Sequence, residues 1–189
     1  MSETHRSTER FDPGTHLLDS GTLVEDGADP AVSTPVRHRW ERKLAAFQGA
    51  TMDSDRLHQA LASLLETTAE AVEVTPVEES ERVSVLQDGV LVGQWVSLAA
   101  LLADVTASAV LAETDDQWDA FAPATRGHIL STLRIYVPSC PICGSGVTLQ
   151  TGGCQCGCEG TDDYSFACSN DECSARIYRI DKKTADAFL

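Results

Sequence analysis

The chain has 189 residues, 42% of them hydrophobic, with 29 acidic against 14 basic side chains and a formal net charge of −15. That length suits one compact domain plus a small module, because a core of about 100 to 150 residues is the usual unit, and it argues against three domains. The charge excludes bulk attraction to a nucleic-acid backbone and makes a protein the expected partner.

Residues 1–36 mix Ser, Thr, Gly, Pro and Asp with few large apolar groups and carry a net −5. Such a segment buries too little apolar surface to offset chain entropy, so a disordered acidic tail is expected. No apolar run follows the charges of "MSETHRSTERFDPG", and no secretory signal is expected. A mainly helical domain is expected over 37–137. Its first piece, "RHRWERK" (37–43), carries +3 and opens a short helix that places Trp40, Leu44 and Phe47 on one face and its arginines in solvent. Over 53–73, Leu57, Leu61, Leu64, Leu65 and Val72 recur at helical spacing behind Asp53 or Ser54 as cap. His58 on that helix reads as a surface or core-edge residue.

One β-hairpin is predicted at 82–95, where Val83 and Val85 alternate with polar neighbours, Asp88-Gly89 supplies a type I′ turn, and Val90, Leu91 and Val92 resume the strand. Ser97 then caps an apolar helix whose Ala99, Ala100, Ala103 and Ala107 permit close approach to the sheet. The longest apolar stretch lasts only fifteen residues from Gly89 before Asp104, so no membrane span is expected. Thr114 with Gln117 forms a capping-box pattern, and Pro123 pre-sets the first turn of "ATRGHILSTLRIYV". Neither an internal repeat nor a phosphate-binding loop nor a Ser/His/acid set is legible, so no catalytic residue is named and the protein is read as non-enzymatic.

All seven cysteines fall after residue 139. Clustered cysteines in a chain expected to be cytoplasmic point to metal ligation rather than disulfides. Cys140 and Cys143 sit in "CPICG", a tight knuckle in which Pro141 fixes φ and Gly144 lets amides face the sulfurs, while Cys168 and Cys173 bracket "SNDE". "GVTLQ", "DYSFA" and "ARIYRI" read as three strands around these pairs. Four thiolates complete a tetrahedral zinc site, so one structural Zn2+ is expected on Cys140, Cys143, Cys168 and Cys173.

"CPICGSGVTLQ" followed by "YSFACSNDECSARIY" resembles the zinc ribbons found at topoisomerase C-termini, and also the C-terminal ribbons of uncharacterised haloarchaeal proteins that carry an extra cysteine cluster between the knuckles. The resemblance covers about residues 138–180 and implies an antiparallel zinc ribbon at 138–189, hence an α+β chain overall. Topoisomerase-type ribbons usually carry basic residues. Here Glu159, Asp162, Asp163, Asp171 and Glu172 stand against Arg176, Arg179, Lys182 and Lys183. Those four basic side chains, with "RHRWERK" as a second contact, support the alternative of a nucleic-acid-binding regulator.

Three roles compete for Cys154, Cys156 and Cys158, whose alternation would place their sulfurs on one side of an extended chain. They are spare reduced thiols, or a second metal site completed by Glu159, Asp163, His128 or a bridging knuckle cysteine, or a redox pair. The acidic excess and the presence of only three lysines are similar to proteins of salt-in halophiles, where concentrated salt screens surface self-repulsion. The resulting expectation is a cytoplasmic, zinc-stabilised interaction or regulatory protein of a halophile.

Overall fold

The computed structural model describes residues 11–27, 29–152 and 163–180. Asp12 accepts a hydrogen bond from the Thr15 amide at 2.7 Å and Pro13 fills the first turn, which starts helix α1 (Pro13–Asp19). A hairpin of β1 (Leu23–Asp26) and β2 (Asp29–Val32) follows, turning at Gly27, whose φ of 69° suits a residue without Cβ. Helix α2 (Thr34–Ala45) comes next. The expected disordered tail is therefore corrected over residues 11–27 and 29–36, while residues 1–10 and 28 lie outside the described residues.

The cause of that order is tertiary. Leu17 has no exposed surface, and Leu23, Val32 and Val36 join it in one core cluster with Trp40 and Leu44. His16 Nε2 donates to Asp115 Oδ2 at 2.7 Å across 99 residues of chain, and the Phe121 ring meets His16 edge-on at 4.8 Å. A few apolar residues spread through a polar segment suffice when the rest of the chain supplies the surface they bury against.

Helix α2 buries Val36, Trp40 and Leu44 on one stripe, with Phe47 just beyond its end. Helix α3 (Asp55–Leu65) buries Leu57, Leu61 and Ala62 and is shorter than the spacing suggested. Glu66 takes a left-handed conformation at φ 55°, and the Thr67 amide bonds back to the Ala62 carbonyl, which closes the helix. Val72, expected on that helix, instead begins strand β3 (Val72–Pro76), where alternating Val72 and Val74 face the core. The predicted hairpin, β4 (Val83–Gln87) and β5 (Val90–Trp95), forms about Asp88 and Gly89 at φ 51° and 77°. It is extended by β3 to a three-stranded antiparallel sheet, order β3-β4-β5, with a bulge opposite Val85 and Leu86.

Helix α4 (Leu98–Thr114) starts where expected, with Ser97 Oγ accepting from the Ala100 amide at 3.1 Å. Over residues 99–108 it is buried on all sides rather than on one face, and only Ala109, Ala112 and Glu113 near its end are exposed. Leu101, Leu102 and Val105 pack on the β3–β5 sheet and α3, while Ala99, Ala103, Ala107, Val110 and Leu111 pack on Leu17, Trp40, Leu44 and Ile129. Two of its buried polar side chains are engaged across the core: Thr106 Oγ1 accepts from Trp40 Nε1, and Asp104 accepts from Trp95 Nε1 at 2.7 Å and, through both oxygens, from Arg134. The expected capping box at Thr114 is corrected. Thr114 still belongs to α4, its hydroxyl donating to the Val110 carbonyl, and Asp115 Oδ1 accepts from the Gln117 amide instead. Helix α5 (Pro123–Leu133) begins at the predicted proline and leads through a 3-10 turn at Arg134–Tyr136 to the first cysteine.

The last sheet has order β6-β7-β8, from β6 (Val147–Gly152), β7 (Asp163–Cys168) and β8 (Arg176–Ile180), all antiparallel as the sequence suggested. It is seated on the rest of the chain: Ile177 is fully buried in the α4 core, Ser97 Oγ donates to the Arg176 carbonyl, and the Arg134 guanidinium lies 5.9 Å from the Tyr178 ring centre.

Two stability measurements check this architecture. Leu17→Ala is expected to cost about 2 to 5 kcal/mol in denaturant unfolding, the loss of a core leucine, whereas a residue in a flexible tail would show none. Asp104→Ala, which strands a buried guanidinium, is expected to cost about 3 to 5 kcal/mol, and much of that loss should return when Arg134→Met is added.

Candidate metal centre

The first knuckle is a turn in which the Gly144 amide donates to the Cys140 carbonyl at 2.8 Å and the Cys140 amide to the Ser145 carbonyl at 2.7 Å. Gly144 has φ 78°, a conformation that favours a residue without Cβ, and the exposed Gln48 side chain lies over the same spot. Ile142 seats the knuckle on both core clusters, and its carbonyl accepts from the Gly49 amide. In the second knuckle Asn170 organises the chain: its amide donates to Cys168 Sγ at 3.4 Å, its carbonyl accepts from the amides of Cys173 and Ser174, and its side chain accepts from the Glu172 amide. A bond from the Ser169 amide to the Gly146 carbonyl ties the two knuckles together.

The sulfurs of Cys140, Cys143, Cys168 and Cys173 all lie within 4.8 Å of one another. Cys143 to Cys168 is 3.4 Å and Cys140 to Cys173 is 3.8 Å. These spacings exceed a disulfide bond of about 2.05 Å. They match the edge of a tetrahedron whose corners stand about 2.3 Å from a central zinc, which is about 3.8 Å. The donor set is four soft thiols and fits a metal ion of that kind. Among the described residues only these four bring three or more metal-ligating side chains together; His128 stands apart on α5.

The four sites are unequal. Cys140 and Cys168 are buried, and burial pushes both thiols above the ordinary cysteine range. Cys143 is exposed, and hydrogen bonds from Ser145, first its hydroxyl and then its amide, hold the thiol down at about 6. Two buried thiols of raised pKa beside a third resist ionisation together unless a cation neutralises them, and four filled corners leave no place for water or substrate.

Cys154, Cys156 and Cys158 lie outside the described residues, as do Lys182 and Lys183. Of the predicted basic cluster, Arg176 stands opposite Ala167 and Arg179 opposite Ser165, with Ile177 as an extra residue between them. Ala167 and Ser165 share one face of β7, so the bulge puts both arginines on the same side. In "RHRWERK", Arg39 and Arg42 donate to carbonyls of their own helix and Lys43 pairs with Glu113 at 2.7 Å. Sequence reasoning missed the parts that join the ribbon to the domain: Ile142, Ser97 on Arg176, and Arg134 on Asp104. The Asn in "SNDE" was the one local signal available, since Asn favours such side-chain-to-backbone turns.

Over its described residues the chain is thus a mixed α/β protein of five helices and antiparallel sheets, with a candidate metal centre of four cysteines near its C-terminal end. Residues 12–135 match the family of unknown function (DUF8054) central domain, and the chain belongs to that family. The match begins at the start of α1, inside the segment expected to be disordered, and stops just before the first knuckle. Neither the curated proteins nor the solved structures compared with the chain contain a match. No helix among the described residues is long and apolar enough to cross a membrane.

Metal affinity should depend on pH in a definite sense. Binding displaces the protons that Cys140 and Cys168 retain at neutrality, so affinity rises with pH, and the dependence steepens below about pH 6 where Cys143 also takes up a proton. Competition with a chelating dye at several pH values measures the slope, which should reach at least about tenfold per unit near neutrality.

Proposed function

We propose that the protein is a non-catalytic, zinc-stabilised interaction protein: a structural four-cysteine zinc ribbon built onto the family's central domain and offering its surface to a protein partner. The observation that carries this reading is the mutual approach of four sulfurs within 4.8 Å, a complete tetrahedral shell with no corner left for chemistry. Reduced metal-binding thiols suit a cytoplasmic setting, and the net charge of −15 suits concentrated salt and disfavours nucleic-acid backbones. A surface suited to a protein is at hand in edge strand β5, where Val90, Leu91 and Val92 are 67%, 55% and 44% exposed.

Zinc per chain by elemental analysis tests the metal reading: one equivalent is expected, unchanged when Cys154, Cys156 and Cys158 are replaced by serine, and a fall from two to one would add a second site. Leu91→Glu is expected to abolish chemical cross-linking to a stoichiometric protein partner at native salt while zinc content and Tm stay the same. Binding of nucleic acid that disappears when Arg176, Arg179, Lys182 and Lys183 are reversed in charge would instead favour the nucleic-acid-binding regulator.

A further inference from the structure

Among the described residues the metal centre is open at Cys143 and, in part, at Cys173. Cys140 and Cys168 expose essentially nothing, whereas Cys143 is exposed and, with the half-buried Cys173, faces a shallow groove of about 560 Å³ whose walls include Ile142, Asn170, Glu172 and Ala175. The groove is wide enough for a small neutral reagent, and Cys143 is the ligand such a reagent meets with the least protein in the way. Directly behind it, at 3.4 Å, stands the sulfur of Cys168, closer than the 3.8 Å between Cys140 and Cys173. An exposed sulfur with a second one in its shadow is the arrangement in which oxidation at the first is captured by the other.

We propose that Cys143 is an oxidative modification site through which a hydroperoxide enters the centre, that Cys168 resolves it, and that the product is a Cys143–Cys168 disulfide joining the two knuckles. The proposal rests on the metal reading of the same four cysteines. The Cys143 thiolate attacks one peroxide oxygen, the O–O bond breaks, and the sulfur becomes a sulfenic acid as the other oxygen leaves as hydroxide. The Cys168 thiolate then attacks the sulfenic sulfur, an S–S bond forms, and a second hydroxide departs. Two thiolates have lost two electrons to one peroxide, and the metal, deprived of two of its four ligands, is released.

The experiment uses the full chain with its zinc content measured first. Brief alkylation of the metal-loaded protein with iodoacetamide, read by peptide mass spectrometry, is expected to label Cys143 at least about tenfold faster than Cys140 or Cys168. Hydrogen peroxide, added in small steps, is expected to yield the Cys143–Cys168 linkage in non-reduced digests in proportion to zinc captured by a chromogenic chelator. The same result is expected when Cys154, Cys156 and Cys158 are all serine. Faster labelling of a buried ligand, a disulfide within one knuckle, a linkage to one of the three other cysteines, or retention of zinc under excess peroxide each overturns the proposal. A sample that carries no zinc yet still forms the Cys143–Cys168 bond overturns the metal reading and leaves the thiol pairing standing.

Discussion

The structure depends on a helix whose first three turns, residues 99–108, have no solvent face. Burial of residues 99–108 places α4 between the two core clusters, but it also commits Asp104, Thr106 and Ser108 to the interior. A carboxylate there is tolerable only when a positive partner and hydrogen bonds replace the water it has lost. Asp104 obtains both, from Arg134 and from Trp95, and Thr106 is matched by Trp40. Those partners come from the end of β5, from the turn before the cysteines and from α2. Satisfying the polar groups of α4 therefore fixes where the sheet, the metal-binding segment and the N-terminal helices must sit.

The metal-binding sheet could not hold itself together in this way. Its own apolar cluster is small, built around Tyr164 and Ile180 with Leu149, Phe166 and Tyr178 at its edges. So little buried area stabilises a fold weakly, and a metal crosslinking the two knuckles would supply what the core lacks. The same unit is also held from outside, through Ile177 in the α4 core, Ile142 under the first knuckle and the Ser97 hydroxyl on β8. Ser97 caps α4 through its oxygen while donating from the same hydroxyl to Arg176, so the start of the central helix and the last strand share one group. A metal held by the four cysteines would on this geometry be physically linked to the stability of the family's domain.

Features governed by near neighbours in sequence were legible. The Asp88-Gly89 turn, the Ser97 cap, Pro123 at the head of α5, the three strands around the cysteines and the four cysteines that meet each follow from steric or hydrogen-bonding preferences within a few residues. Where reasoning failed, the deciding partner was remote. His16 gives no local signal until Asp115 is brought to it, Leu17 looks like a stray apolar residue until Trp40 and Ile129 surround it, and Val72 fits a helical period until β4 offers it a ladder.

By itself the sequence determined the chemistry of the candidate site: which four cysteines have the spacing to meet, and that thiol ligands suit a structural metal ion. Only the tertiary structure decided how unequal those four are, because exposure depends on what packs over each sulfur. Likewise only packing decided that α1, β1, β2 and α2 are part of the fold and that the last sheet rests on α4. Spacing is a local property of the chain, whereas burial is a property of everything that surrounds it, and the two become known at different levels of structure.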